Sequence, residues 1–400
     1  MKALFLTNEY PPNVYGGAGI HVEYLSRELA RSIQVEVRCF GDQSLHDGNL
    51  VARGYRHDKA RFAHCDPKLA SPLSAFGICI DFAASPTDAA LVHCHTWYTH
   101  LGGLLAKRGY GMPLVITTHS LEPLRPWKRE QLGLGYDLST WIERTALEAA
   151  DAIVAVSHGM KEDVLRLFDV DADKIRVIHN GIDTDEFAPV STTSRLERYG
   201  VDPNIPYVLF VGRVTRQKGI TYLLDAVRHL DEGVQVVLCA GQPDTPEIAQ
   251  EMTAKVRALQ QRRKHVVWIS EWVDNATKIE LYSHATVFCC PSIYEPFGII
   301  NLEAMACATP VVGSAVGGIR EIIVDGETGY QVALEQHRES PFEPVDPERF
   351  ARDLATSITR VVEDPSRRRA MGAASRERAQ AVFSWRAIAQ AHVDFYTTLL

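Results

Sequence analysis

The stretch YVLFVGRVTRQKGITYLLDAVRHL, residues 207–230, places a strand, a loop and a helix in direct succession. Its first part, YVLF, is a continuous apolar run, as expected for a parallel strand that is covered on both faces. The polar loop that follows carries Arg213 and Lys218, and residues 218–230 have the apolar spacing of a helix. A strand, a loop and a covering helix form the repeating unit of doubly wound α/β sheets.

The same alternation continues in both directions from this stretch. Residues 179–206 interrupt it with the turn dipeptide Asn180-Gly181, three prolines and no sustained period. We therefore predict an α/β protein with two Rossmann-like, doubly wound domains that face each other across a cleft. The predicted domains are residues 1–185 and residues 186–385, with a helix at about 386–400 packing back on the first. Further strands are predicted at KALFLT, VEVRCF, ALVHCH, PLVITTH, AIVAVS and IRVIHN, and then at QVVLCAG, HVVWIS, TVFCCPS and PVVGS.

The composition limits the classes of partner. The 400 residues carry a net charge of −8, which argues against nucleic acid or an anionic membrane surface as a partner. No apolar run approaches the roughly 20 residues of a membrane helix, and the first apolar stretch is too short for a signal peptide. The eight cysteines form no C-x-x-C pair, which favours reduced, buried thiols. The sequence predicts a cytoplasmic protein, and whether it forms a homo-oligomer stays open.

The loop at 211–220 is the first candidate for anion binding. Arg213 and Lys218 follow a predicted strand, and parallel sheets bind ligands at the carboxyl ends of their strands. Arginine binds a diphosphate in a forked geometry and lysine acts as a point charge. A solvated basic loop is the alternative interpretation.

The stretch CPSIYEPFGIINLEAMACATPVVGS, residues 290–314, is the second candidate. Gly298 is predicted to open a helix, so that the amides of Phe297–Ile299 lie at its positive end. Glu295 precedes the turn and Glu303 lies within the helix, and two carboxylates beside an anion-binding helix start suit a nucleotide sugar. The alternative is a helix-terminal charge at Glu295 and a solvent-facing Glu303.

Three further features lie in the first half of the chain. In GGAG, residues 16–19, glycines near a helix start could admit a phosphate, but the third glycine of a dinucleotide fingerprint is replaced by Val22. His119 follows the strand PLVI, and Arg125 and Lys128 come within ten residues of it. These cations are either acceptor-binding groups or surface charge.

No metal site is predicted. The motif HCHTWYTH offers His93, His95 and His100, but no acid completes a ligand set. The acidic DVDAD, residues 169–173, precedes a strand rather than ending one, which favours a solvated turn.

Taken together, GGAG, GRVTRQKG, EPFGIINLE and SAVGGIREII resemble the retaining nucleotide-sugar glycosyltransferases of the GT-B fold, in the glycogen synthase branch. The resemblance covers residues 3–386, and HTWYTHLGG, THSLEPLRPWK and GGIREIIVDGETGY are similar to the actinobacterial ADP-glucose enzymes. There is one departure. Many chain-elongating bacterial enzymes have Lys-Thr-Gly-Gly at the first loop, whereas this chain has Val14-Tyr15-Gly16-Gly17. The donor phosphates would therefore depend more on Arg213 and Lys218.

The resemblance implies a glucosyltransferase that moves glucose from ADP-glucose, with retention, to an acceptor 4-hydroxyl in glycogen or α-glucan biosynthesis. The acceptor would be glucose 1-phosphate, giving maltose 1-phosphate, or an α-1,4-glucan chain, and no cofactor or metal is expected. The residues that it assigns to catalysis are His119, Glu295, Arg213 and Lys218, and those that it assigns to the donor are Gly16, Gly17, Arg213, Lys218, Glu295, Phe297, Gly298, Ile299 and Glu303. The other interpretations are a transferase for a UDP- or GDP-sugar, a sugar-nucleotide epimerase, a nicotinamide oxidoreductase and a non-catalytic nucleotide-binding module.

Overall fold

The computed structural model describes residues 1–14, 16–56, 59–126, 128–241, 243–338 and 341–400. The chain divides into two compact units. Unit 1 consists of Met1–Gly181 and Trp385–Leu400, and unit 2 is Ile182–Ser384. Each unit has its own sheet and its own hydrophobic core.

The sheet of unit 1 has eight strands among the described residues, in the order β3-β4-β2-β1-β5-β6-β7-β8. All neighbours pair in parallel except β3, which runs antiparallel to β4 at the edge. Strands β3 and β4 were not predicted from the sequence, because β3 is exposed and β4 alternates between buried and exposed residues instead of forming a continuous apolar run. The strands are β1 (Lys2–Thr7), β2 (Gln34–Phe40), β3 (Ser44–Asp47), β4 (Leu50–Tyr55), β5 (Leu91–His95), β6 (Leu114–Thr118), β7 (Ala152–Ala155) and β8 (Ile175–Val177).

The helices of unit 1 cover both faces of this sheet. The C-terminal helix packs against α1, and its Trp385, Ile388 and Tyr396 belong to the same core as Val22 and Leu25 of α1. The helices are α1 (Gly17–Leu29), α2 (Pro67–Ala84), α3 (His100–Tyr110), α4 (Lys128–Leu132), α5 (Leu134–Ala149), α6 (His158–Leu167) and, at the end of the chain, α15 (Trp385–Thr397).

The sheet of unit 2 has six parallel strands among the described residues, in the order β11-β10-β9-β12-β13-β14. The strands are β9 (Tyr207–Arg213), β10 (Gln235–Gly241), β11 (Val266–Ile269), β12 (Val287–Cys290), β13 (Val311–Ser314) and β14 (Gly329–Val332). The helices are α7 (Ser194–Arg198), α8 (Ile220–Ala226), α9 (Pro246–Arg262), α10 (Asn275–His284), α11 (Ile299–Ala306), α12 (Ile319–Ile322), α13 (Pro347–Val362) and α14 (Pro365–Val382).

Several helix starts follow directly from local sequence. A side chain that accepts a backbone N–H caps the helix, and proline in the first turn loses no hydrogen bond because that amide has no intrahelical acceptor. This combination begins α2, α9, α13 and α14, at Asp66-Pro67, Thr245-Pro246, Asp346-Pro347 and Asp364-Pro365.

The predicted fold class, two Rossmann-like domains with doubly wound sheets, is confirmed. Among the parallel strands of each sheet the order reverses once, between β1 and β5 in unit 1 and between β9 and β12 in unit 2. Ligands of such sheets bind beyond the carboxyl ends of the strands at this reversal. Arg213 ends β9, Glu295 follows β12 and His95 ends β5, so the topology brings several predicted residues to these positions. No helix in the described part of the chain combines the length and apolarity needed to cross a membrane.

Candidate functional site

In unit 2 the loop after β9 meets the loop after β12 through an ion pair. Lys218 Nζ lies 2.6 Å from Glu295 Oε2, although the two residues are 77 positions apart in the chain. Ser292 Oγ donates to the same oxygen at 3.0 Å. Glu295 is only 6% exposed. The structure therefore joins two residues that the sequence assigned independently to one site.

This ion pair keeps Lys218 charged. Burial alone would lower the pKa of the Lys218 ammonium, but the attraction and hydrogen bond of Glu295, together with Cys290, leave the pKa raised. A buried charge without its partner is strongly unfavourable, so each member of the pair holds the other in place.

Two glycines of the motif SAVGGIREII fix the backbone beside Glu295. Gly317 has φ +45°, and a Cβ added to it would lie 2.0 Å from the Glu295 carbonyl oxygen. Gly318 donates its N–H to that same oxygen at 3.1 Å, and a Cβ on Gly318 would lie 2.5 Å from Phe297 Cα. Only glycine allows the two loops to approach this closely.

Gly298 opens helix α11, as predicted. It has φ +101° and is the N-cap residue of Ile299–Ala306. The backbone N–H and the side-chain amide of Asn301 both donate to the Gly298 carbonyl, each at 3.0 Å, and close the first turn. The amides at a helix start lack intrahelical acceptors, so those of Gly298 and Ile299 are suited to an anion. The Phe297 side chain is buried.

Glu303 lies on the buried face of α11, so the alternative of a solvent-facing residue is wrong. Lys278 Nζ donates to Glu303 Oε1 at 3.1 Å, and the Tyr282 hydroxyl donates to Oε2 at 2.9 Å. Burial and the nearby carboxylate raise the pKa of Tyr282 well above its usual range. Lys278 and Tyr282 were not predicted from the sequence, although their spacing of four residues places both on one face of α10.

Arg213 is the last residue of β9, and its guanidinium pairs with Asp244, which follows the neighbouring strand β10. The loop around this pair is fixed by its backbone, since Val214 donates to the Gly241 carbonyl at 2.9 Å and Asp244 donates to the Val214 carbonyl at 3.2 Å. Both predicted cations of unit 2 are therefore paired with carboxylates, and Asp244 is a residue that the sequence analysis missed.

In unit 1, His119 follows β6 directly, and its Nε2 lies 3.1 Å from Nδ1 of His95 at the end of β5. The ring of His21 packs edge-on at 4.7 Å between centroids, and its Nδ1 lies 2.8 Å from Asn180 Oδ1. Burial lowers the pKa of His119 to about 3. The His119 ring is therefore neutral at physiological pH and is suited to hydrogen bonding rather than to carrying a proton.

The histidines that meet in space differ from those that the sequence groups together. One ring nitrogen from each of His21, His95 and His119 lies within 4.8 Å of the others, the one such grouping of three among the described residues. The trio weighed from the sequence was His93, His95 and His100. His93 instead bonds Tyr396 at 2.6 Å and Thr117 at 2.7 Å.

The glycine loop of unit 1 holds a carboxylate of the protein itself. Gly16 is the N-cap residue of α1, and its N–H donates to Glu9 Oε2 at 2.8 Å. Gly17 is the first residue of the helix, where a negative charge is favourable. Glu9 was missed from the sequence, and Tyr15 lies outside the described residues.

The predicted acceptor residues Arg125 and Lys128 share one carboxylate. Lys128 Nζ lies 2.9 Å from Glu122 Oε1, and an Arg125 terminal nitrogen lies 3.8 Å from the same oxygen. Burial, and then repulsion from Arg125, lower the pKa of Lys128 despite the attraction of Glu122. Burial and the neighbouring Glu122 raise the pKa of Glu143 well above its usual range. The interpretation as simple surface charge is wrong for Lys128, which is largely buried.

Comparison with known proteins shows the class of protein to which the chain belongs. The model for "Glycosyltransferase Family 4" matches residues 15–186, and the model for "Glycosyl transferases group 1" matches residues 193–341. The chain belongs to the GT-B glycosyltransferases of family 4 type, and the resemblance drawn from its motifs is confirmed.

The relatives make the comparison more specific. The chain is 46% identical to the alpha-maltose-1-phosphate synthase of Mycolicibacterium smegmatis and 45% identical to that of Mycobacterium tuberculosis, in each case over 99% of both chains. Among solved structures, sucrose-phosphate synthase from Thermosynechococcus elongatus superimposes with a TM-score of 0.76 at 25% identity, covering 100% of this chain and 99% of the other.

Proposed function

We propose that the chain is a retaining glucosyltransferase that moves glucose from ADP-glucose to the 4-hydroxyl of an acceptor, forming an α-1,4 bond. The proposed acceptor is glucose 1-phosphate, giving maltose 1-phosphate, with an α-1,4-glucan chain as the second acceptor. The 46% identity to an enzyme named for maltose 1-phosphate supports this choice. The observation that carries the proposal is the Lys218–Glu295 pair beside the strand reversal of unit 2.

The proposed donor site uses the charges of unit 2. Lys218 and Arg213 would hold the diphosphate, with the amides of Phe297–Ile299 adding donors at the start of α11. Among the described residues, both hydrogen bonds recorded for the Glu295 carboxylate end on Oε2, so we assign Oε1 to a glucose hydroxyl. Glu303, already oriented by two donors, would accept from the ribose hydroxyls. Gly16 and Gly17 would face the donor phosphates and allow their close approach, although the N–H of Gly16 already donates to Glu9.

In the proposed reaction the bond from glucose C1 to the diphosphate oxygen breaks, and its electrons pass to the leaving ADP. The acceptor O4 forms the new bond to C1 on the same face, and its proton passes to the departing phosphate oxygen. Lys218 and Arg213 stabilise the charge that grows on the leaving group, which is where preorganised charge lowers the barrier most. Trapping a covalent glucosyl adduct on Glu295 would contradict same-face attack.

Arg125 and Lys128 would bind the phosphate of the acceptor. The two cations share one carboxylate, Glu122, and burial together with Glu122 raises the pKa of Glu143, which disfavours a second negative charge beside them. The group therefore carries an excess positive charge in a largely buried place, which suits a phosphate monoester.

The test is release of ADP from ADP-glucose with glucose 1-phosphate and glycogen compared as acceptors, beside parallel reactions with UDP-glucose. We expect acceptor-dependent release that is faster with ADP-glucose. Arg125→Ala and Lys128→Ala should each raise the KM for glucose 1-phosphate about tenfold or more and change transfer to glycogen little. Arg144→Ala, which removes an exposed helix ion pair with Glu148, is the matched control. Unchanged use of glucose 1-phosphate in the first two variants would refute the acceptor assignment, and acceptor-independent turnover would favour an epimerase.

A further inference from the structure

The ring of His119 is held by a second histidine that the proposed function does not use. His95 Nδ1 lies 3.1 Å from His119 Nε2, and the two rings meet edge to edge, with centroids 5.4 Å apart and 30° between their planes. His95 is fully buried at the end of β5, whereas the His119 ring is partly exposed. The Nε2 edge of the His119 ring is thus held by His95.

Both rings are neutral. Burial, and then His93, His21, His119 and His392, lower the pKa of His95 well below its usual range. Burial and His392 lower the pKa of His119 to about 3. A hydrogen bond between two neutral imidazoles requires one N–H and one lone pair, so one tautomer of His95 selects one tautomer of His119.

The surroundings of His95 decide which nitrogen carries the hydrogen. His95 Nε2 is buried and has no hydrogen-bond partner among the described residues. A buried N–H without an acceptor is rarer and more costly than an unused lone pair. The hydrogen of His95 therefore belongs on Nδ1, from which it donates to His119 Nε2. His119 must then carry its own hydrogen on Nδ1.

We propose that His95 is a positioning residue that holds His119 in the Nδ1–H form, so that His119 donates a hydrogen bond to a hydroxyl oxygen of the transferred sugar. This inference rests on the proposed glucosyl transfer and on the catalytic role that the family resemblance implies for His119. His21, which packs edge-on against His119 and is itself bonded to Asn180, limits rotation of the ring. A neutral donor recognises a sugar hydroxyl without adding a charge near the reacting carbon.

The test compares two substitutions of the same shape. In asparagine the amide nitrogen is attached to Cγ, as Nδ1 is in histidine, so His95→Asn keeps a donor near the original position, whereas His95→Leu does not. We expect His95→Leu to lower kcat about tenfold, the size of one hydrogen bond, and His95→Asn to recover most of that loss. His119→Ala should lower kcat about 100-fold. In the His119→Ala background, His95→Leu should have no further effect on kcat.

A direct measurement of the tautomer completes the test. Histidine-selective ¹⁵N labelling and long-range ¹H–¹⁵N correlation should show His119 as the Nδ1–H form in the unaltered protein. An Nε2–H form overturns the inference even if the His95→Leu variant does not fold. Equal rates for the Asn and Leu variants also overturn it, as does loss of activity on chelation, which would mean that His21, His95 and His119 ligate a metal. If His119→Ala leaves transfer unchanged, the proposed role of His119 fails instead.

Discussion

His119 of unit 1 and the predicted donor residues of unit 2 are held by opposite electrostatic means. In unit 1, His119 lies among buried neutral histidines, and the contacts that orient it are hydrogen bonds and ring packing. In unit 2 the corresponding residues are ions in pairs, among them Lys218 with Glu295 and Lys278 with Glu303.

The difference matches the demands that the proposed reaction makes on each group. A departing diphosphate gains negative charge, which fixed cations stabilise strongly. Cations in a buried place need carboxylate partners, because an isolated buried charge is costly. A sugar hydroxyl gains no such charge, so neutral donors suffice and burial can favour neutrality. Low pH should therefore act mainly on unit 1, whereas replacing Lys218 or Gly317 should act mainly on unit 2.

Acid should give the largest effect, and it should act on unit 1. Burial lowers the pKa of His100 to about 3 and that of His392 to about 4, whereas histidines of the unfolded chain protonate near pH 6.5. As the pH falls below about 6.5 the unfolded state binds protons that the folded state excludes, so the free energy of unfolding decreases. Each such histidine contributes at most about 1.4 kcal/mol per pH unit, which sums to several kcal/mol.

Hydrogen exchange read peptide by peptide between pH 8 and pH 4.5 separates the two units. After correction for intrinsic exchange rates, peptides of β5 and β6 should lose protection before those of β9 and β12. His100→Leu is an informative variant, because neither ring nitrogen of His100 has a partner among the described residues. The His100→Leu variant should weaken the pH dependence of protection in unit 1, and it should change protection little above pH 7. Equal loss of protection in both units would remove the contrast between them.

Removing the Lys218 charge should give the next largest effect, on unit 2. Lys218→Ala is expected to lower kcat for ADP release about 100- to 1,000-fold, or roughly 3–4 kcal/mol in the barrier, because the leaving diphosphate loses a preorganised cation. The raised pKa of Lys218 keeps it charged in the unaltered enzyme through neutral pH, so the ratio of the two kcat values should be the same at pH 6 and pH 8.

Lys255→Ala is the control for this substitution, since Lys255 pairs with Asp225 at 2.7 Å in a partly buried position of the same unit. It should leave kcat within about threefold of the unaltered enzyme. A similar loss of kcat in both variants would show that the effect comes from general disruption of unit 2 and not from the leaving group.

The sequence predicted those features that depend on local patterns. Continuous apolar runs identified the central strands, and Gly298 identified the start of α11, because both signals lie within a few residues. The partners of the candidate residues were not predictable in this way. Glu122 lies within six residues of Lys128, but Asp244, Lys278 and His95 reach their partners across 24 or more positions. A single sequence does not show which distant residues meet in space, because that depends on the order of the strands in the sheet.

The smallest expected effect tests whether unit 2 needs close backbone packing at Glu295 as well as paired charge. Gly317 and Gly326 both have positive φ, +45° and +78°, so alanine should cost each about 1 kcal/mol of stability in backbone strain. A Cβ on Gly326 meets nothing within 4 Å, whereas a Cβ on Gly317 would lie 2.0 Å from the Glu295 carbonyl oxygen. Gly317→Ala should therefore cost about 2 kcal/mol more than Gly326→Ala in urea unfolding, and it should also lower kcat, because Glu295 must move away from Lys218. If the two variants unfold at the same urea concentration with the same kcat, the loop at Glu295 adapts freely, and the ion pair alone holds the carboxylate.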